Sequence, residues 1–331
     1  MCSENLSFIE TDIFYATTLH IFTGIGVPVH LFGVYIIVAR TPSKMSSVKL
    51  SMFLLLFAGA FMELFLSFFA IPVLTLPSCA IYTLGFGQVI GVPTEVQAYI
   101  GYSVVGVTGI TILVFFEERY HQLVNGHRSN GIRSCSRVIY IVIHYMYSAA
   151  YIIPVFLNIL NQTMAKLAIK KAIPCIPLKI LSRPDFSVIS INNFTLCFCI
   201  VTFFSIVGFQ VFLLVSAICW KLFHMVSQSE ATNRLQKQFF YALCLQVFIP
   251  VFVLTFPMIY VVLTSWFEYY NQAATNTALT IISTHGILST LTMLIVHTPY
   301  RKAATEILCF NCKKAEKNAN NSQQIWRTVN K

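Results

Sequence analysis

Seven apolar runs, at about 13–39, 50–77, 96–116, 138–159, 194–220, 239–263 and 273–296, leave this chain few ways to fold. Each is roughly 21–28 residues long, and about 20 apolar helical residues cross the hydrocarbon layer of a bilayer. Barrel strands would need only about 10 residues alternating in polarity. The composition agrees: 56% of residues are hydrophobic, 10% are charged, and the mean hydropathy is +0.72. Soluble domains carry about 25% charged residues, and a soluble fold could not cover its surface with so few. The expected fold is an all-α membrane protein, a seven-transmembrane helix bundle spanning 13–296. A short outer N-terminus (1–12) precedes it and an inner tail (297–331) follows.

The segment "PSCAIYTLGFGQVIGVPTEVQ" before the third run is apolar but interrupted by Gly85, Gly87, Gly91 and Pro93. Such interruptions disfavour a helix, so it reads as an outer loop whose ends dip towards the membrane. The first twelve residues hold three acids and no Lys or Arg. That is the reverse of a cleavable leader, so the first span is expected to serve as its own signal-anchor.

The net charge of +10 is distributed between the apolar runs. With the N-terminus outside, inner segments hold 17 Lys and Arg and outer segments hold 5, all five in the loop 160–193. This asymmetry favours N-terminus out and C-terminus in, and it argues for topology rather than a nucleic-acid partner. The sequons at Asn5, Asn161 and Asn193 then fall outside, with Asn5 and Asn161 the better placed for glycosylation.

"FFEERYHQLV" closes the third run, with Glu117, Glu118, Arg119 and Tyr120 at the inner face. One reading is a charge cluster that stops the helix at the headgroups. The other is a two-state latch, in which an acid clasps the guanidinium until neighbouring helices move and free Arg119 for a partner.

Together with "LFGVYIIVARTPSKM", "LGFGQVIGVPTEVQAYI", "LQVFIPVFVLTFP" and "STHGILSTLTMLIVHTPYRKA", this stretch resembles the nematode serpentine receptors of class H. The resemblance covers about residues 28–304, and the "HTPYR" end of the seventh span is its most specific piece. It implies a chemosensory G-protein-coupled receptor in the plasma membrane of sensory-neuron cilia. Its partners would be a heterotrimeric G protein, a small odorant or pheromone-like ligand, and membrane lipids. Members commonly show Asn where Glu118 stands, so either Glu117 or Glu118 could hold Arg119. The resemblance gives His297, Pro299, Tyr300 and Arg301 a signalling or folding role; physics alone would make them a helix stop.

Glu63 is the only Asp, Glu, Lys or Arg in the middle of a span. A charge there costs about 2.5–3.5 kcal/mol on insertion scales and must face the bundle interior. It is a ligand or ion contact, a proton- or sodium-sensitive switch, or a protonated group bonded to a neighbouring helix. His285 is its expected partner. Pro250 and Pro257 lie on one face of the sixth span and would bend it as a lever. Cys79 and Cys175 are the only cysteines in the outer loops, where disulfides persist, and a bridge would pin the basic loop to the entry of span three. Cys309 and Cys312, beside the inner leaflet, are candidates for palmitoylation next to a short interfacial helix.

No HExxH, GxSxG or paired metal-ligand spacing occurs, so no enzyme, catalytic set, metal or cofactor is expected. The alternative function is a seven-span odorant-gated channel subunit, whose N-terminus would lie inside.

Overall fold

The computed structural model describes residues 8–125, 131–157, 161–172, 176–190, 193–224 and 230–308. Of the expected site residues, Asn5, Cys175, Cys309 and Cys312 lie outside them. The described elements are, in order, α1 (Asp12–Arg40), α2 (Ser46–Leu64), β1 (Pro72–Thr75), β2 (Cys79–Thr83), α3 (Phe86–Val89), α4 (Thr94–Asn125), α5 (Gly131–Ala150), α6 (Ile153–Phe156), α7 (Gln162–Ala172), α8 (Leu178–Leu181), β3 (Ser187–Ser190), α9 (Asn193–His224), α10 (Glu230–Trp266), α11 (Gln272–Ser283), α12 (His285–Val296) and α13 (Thr298–Leu308).

Among the described residues, six helical segments are long and apolar enough to cross a membrane, and α10 holds a shorter apolar stretch, Val251–Trp266. Their outward faces are rich in large apolar groups, such as Phe209 and Phe212 on α9 and Phe248, Phe252 and Phe256 on α10. A helix apolar on every side belongs in lipid or in a large core. The inner faces build two buried clusters. One, at the sheet end, includes Tyr15, Met62, Ile152 and Phe203. The other, at the opposite end, includes Ile37, Met52, Phe115 and Tyr300.

Two boundaries differ from those read in the sequence. The second helix widens into a π-helix over Phe65–Ala70 and ends at Ile71, whose φ of 44° and ψ of 65° turn the chain left-handed. Residues 72–75, which the apolar pattern assigned to the span, instead form β1. The third helix does not stop at Phe116. Glu, Arg and Gln are good helix formers, and α4 carries the whole charge cluster to Asn125.

The three strands form an antiparallel sheet in the order β1-β2-β3 across one end of the bundle. Pro72 pairs with Thr83 and Thr75 with Ala80, and β2 is buried along its whole length. Both sheet edges are closed by side chains. Tyr15 Oη and Gln272 Nε2 donate to the carbonyls of Pro72 and Leu74 on β1, at 3.0 Å each. On β3 the amide of Gln162 acts as a substitute strand: its Oε1 accepts from Val188 N at 2.9 Å and its Nε2 donates to Val188 O at 3.1 Å. Unpaired edge groups in an apolar setting would be costly, and these contacts remove them.

Arg183 fastens this cap to the bundle. Its guanidinium takes Asp185 in a fork at 2.9 and 3.0 Å, reaches Asp12 Oδ2 at 3.1 Å, and stacks 4.4 Å over the Tyr82 ring. Tyr82 Oη in turn donates to Asp12 Oδ1 at 2.8 Å. The bonds to Asp185 raise the Arg183 pKa above its ordinary value. Arg183→Ala is expected to lower the melting temperature of the detergent-held protein by a few degrees, about 1 kcal/mol after solvent screening. The difference should shrink in high salt, and a melt at two ionic strengths checks it.

Candidate functional site

Span seven is interrupted. α11 ends at Ser283, α12 begins at His285, and Thr284 lies between them. A helix start leaves backbone N–H groups without intrahelical acceptors. Glu63 of α2 supplies one: its Oε2 accepts from Ile287 N at 2.7 Å. The positive end of the α12 dipole favours a carboxylate there. The same oxygen lies 3.1 Å from His30 Nε2 of α1, and His30 Nδ1 lies 2.9 Å from Thr290 Oγ1 of α12. One fully buried carboxylate therefore ties α1, α2 and α12 together.

The packing around it is close. A methyl group at Gly26 would overlap Glu63 Oε1, and one at Gly286 would stand 2.7 Å from Oε2 and 2.5 Å from the Gly59 carbonyl oxygen. The partner expected for Glu63, His285, is not the one it has. His285 is buried against Gly59, and neither ring nitrogen has a hydrogen-bond partner among the described residues. The reason is geometric: the helix break aims the Ile287 N–H at the carboxylate. His30 approaches the same oxygen, Oε2, a role the sequence reading did not give it, and Oε1 has no hydrogen-bond partner among the described residues.

Towards the sheet, a cavity of about 70 Å³ lies under the strands. Phe65 at the end of α2, Gln97 and Tyr102 on α4, Met258 on α10, Leu279 on α11 and Leu74 on β1 wall it. Its surface is almost wholly carbon, and no charged side chain lines it. A second hollow, of about 440 Å³, lies between α4, α9 and α10 and shares Met258 with the first.

At the opposite end the two motifs singled out in the sequence meet. Arg119 is 8% exposed, donates to Gln122 Oε1 at 2.9 Å and lies over the Phe115 ring. Glu117 is paired with Arg137 of α5, at 2.8 and 3.0 Å, rather than with Arg119. Glu118 meets the Arg119 system through Gln122, whose Nε2 donates to Glu118 Oε1 at 3.3 Å. Tyr120 is half-buried beside the same cluster. The Arg119 charge acts on both His297 and Tyr300.

"HTPYR" has a structural logic of its own. His297 takes an extended backbone and ends α12, and Pro299 falls in the first turn of α13, where its missing N–H costs little. Tyr300 is fully buried, with its hydroxyl 3.1 Å from Thr41 Oγ1 and donating to Met52 Sδ at 3.6 Å. Arg301 turns back to donate to the Ile295 carbonyl at 3.1 Å, capping the end of α12. Burial, with the nearby Arg119 charge, pushes the His297 pKa down to about 4, so its ring is neutral near pH 7.

The remaining expected residues are dispersed. Cys79 opens β2 opposite Ser190 and is a buried free thiol, not half of the expected bridge to Cys175. Strand pairing turns it into the core beside Tyr102, where burial pushes the thiol up to about 12. Asn161 is exposed ahead of α7, with Oδ1 accepting from Thr163 N at 3.1 Å. α10 runs on through Pro250 and Pro257 as one helix. Among the described residues, no group of three or more His, Cys, Asp or Glu is placed to hold a metal ion.

Glu63→Leu should cost about 3–5 kcal/mol, because it strands His30 and the Ile287 N–H in the core. Glu63→Gln retains a carbonyl acceptor for Ile287 N and should cost less. A His30→Phe change made on top of Glu63→Leu should cost little more. Melts of these proteins and of the His30→Phe single variant in one detergent test this order, and additive losses for the double variant would refute the shared pin.

A family model described as serpentine type 7TM GPCR chemoreceptor Srh matches residues 10–310. The chain is also 27% identical over 304 residues to serpentine receptor class H-72 of Caenorhabditis elegans, covering 91% of this chain and 87% of that receptor. The match reaches from the first turn before α1 to just beyond α13, and so includes the Glu63 pin, the cavity and the Arg119–Tyr300 corner. With its apolar helices, the chain is a multi-pass membrane protein of the serpentine 7TM GPCR chemoreceptor family Srh.

Proposed function

We propose that this receptor takes a small chemical cue into the cavity beneath the sheet and activates a heterotrimeric G protein through the Arg119 end. The observation that carries the reading is the cavity itself. It is apolar, and three of the helices that wall it, the second span, α4 and α10, also run to the opposite end of the bundle. A cue bound there contacts α2, α4, α10 and α11 together and can bias their relative positions.

In this reading the N-terminus and sheet lie outside, and Arg119, Tyr300 and α13 lie inside, in line with the excess of Lys and Arg in the inner segments. The receptor would work at the plasma membrane, in sensory cilia. Asn5 and the exposed Asn161 would carry glycans, and Cys309 and Cys312 would carry acyl chains. The sixth span would swing at Pro250 and Pro257. Chemoreceptor family membership does not favour the channel alternative, whose topology is the inverse.

Different epitopes on the two termini, stained on intact and permeabilised cells, test the sidedness. Only the N-terminal epitope is expected on intact cells. Arg119→Ala at equal surface expression should then reduce cue-driven nucleotide exchange on Gα by tenfold or more. A C-terminal epitope visible on intact cells, or full signalling by Arg119→Ala, would overturn the reading.

A further inference from the structure

Val201, Ser205 and Gly208 lie three to four residues apart and share one face of α9, as Val251, Thr255 and Met258 do on α10. The two faces do not interlock. They leave between them, over Gly109 of α4, the hollow of about 440 Å³. Glycine keeps it open. A methyl group at Gly208 would meet nothing within 4 Å outside its own helix, and one at Gly109 would meet only Phe203 Cε1, at 3.8 Å. Val201 and Ile259 line the hollow and are exposed, so its mouth lies on the lipid-facing side of α9 and α10.

The lining side chains are hydrocarbon apart from Met258 and two hydroxyls. Ser205 and Thr255 are exposed to the hollow from its two sides, and neither hydroxyl has a hydrogen-bond partner among the described residues. Both lie about halfway along it, each about 17 Å along its helix from the sheet end. In a hydrocarbon layer about 30 Å thick that is close to the middle, where lipid chains offer a hydroxyl no partner.

We propose that the hollow binds an uncharged lipophilic molecule dissolved in the bilayer, a chain of about a dozen carbons with a hydroxyl or carbonyl near its middle that bonds to Ser205 and Thr255. The site is additional to the cavity beneath the sheet and does not depend on how that cavity is read. Size, charge and depth select the occupant. The volume is roughly three times that of the hydrocarbon-lined cavity known to hold benzene, which suits about a dozen heavy atoms or more. No charged side chain lines the hollow to offset the desolvation of an ion. A phospholipid tail fits the carbon walls, but at this depth it brings only methylene groups and leaves both hydroxyls unmatched. A free chain with a mid-chain oxygen satisfies them.

The test uses the full-length receptor in phospholipid nanodiscs and a photoreactive 6-dodecanol that carries a terminal diazirine. Labelling should saturate and map to residues 200–211 of α9 and 251–263 of α10. Unlabelled 6-dodecanol should compete about fivefold better than dodecane at equal mole fraction in the bilayer. Ser205→Ala combined with Thr255→Val should bring that ratio below about twofold while labelling persists. Gly208→Phe, which fills the hollow from α9, and Gly109→Leu, which fills it from α4, should each remove the saturable labelling. Labelling that never saturates, or that spreads evenly over the lipid-facing helices, would mean ordinary contact with the bilayer and would overturn the proposal. So would equal competition by dodecane, a full preference retained after loss of both hydroxyls, or saturable labelling that survives in both filled variants.

Discussion

The arrangement depends first on a carboxylate that the interior of the bundle can hold only if it is given donors. Glu63 receives an imidazole from α1 and a backbone N–H from α12, and its carboxyl group faces the start of a helix. The backbone N–H is available because span seven breaks at Thr284. The break is tolerated, in turn, because a side chain from another helix takes the released donor. Gly26 and Gly286 leave the space in which the three helices can approach closely enough to share one acceptor.

That pin lies between the two ends of the molecule. Phe65 and Leu66, two and three residues past Glu63, already face the cavity, and the intervening backbone opens into a π-helix. Such widened turns break the regular hydrogen-bond ladder and are frequent at functional sites. On α11, Ile282 lines the cavity two residues before the break, while Thr290, Met293 and His297 lead from the pin to the Arg119 corner. Span seven, like α4, thus runs between the cavity and the Arg119 corner. Coupling between distant sites requires an element with two arrangements that both can bias.

The sequence made the helices legible because apolar runs of this length have one stable form in a bilayer. It hid the sheet for a related reason. "PVLT" and "CAIYT" are buried on both faces, so neither shows the polar alternation that marks a half-exposed strand, and the first merged with the helix before it. Polarity also misplaced the end of α4. Glu117 to Gln122 looked like a stop at the headgroups, yet they are helix formers that hydrogen-bond along and between helices. Glu63 stood out as a lone mid-span acid. His30 did not, because a histidine in an apolar run resembles packing and sequence does not tell which spans are neighbours. The break was not read from the sequence, which showed one continuous run over 273–296, although Ser283, Thr284 and Gly286 fall together there.

The burial of Arg119 limits how a partner could reach it. Tyr300 anchors the α12–α13 corner to α1 and α2 through Thr41 and Met52, and Arg301 fastens that corner to the last turn of α12. Moving it would break several buried contacts at once. The outward faces of α9 and α10 carry large exposed apolar groups, and a hollow of about 440 Å³ already separates parts of these helices from α4. Displacement there would exchange apolar neighbours for lipid, which costs little because lipid tails are as apolar as the side chains they replace. Met258 lines both the hollow and the sheet-end cavity. A molecule filling the smaller chamber would press through Met258 on a helix that also borders the hollow, while the Glu63 pin and the Tyr300 corner tie α1, α2 and α12 together.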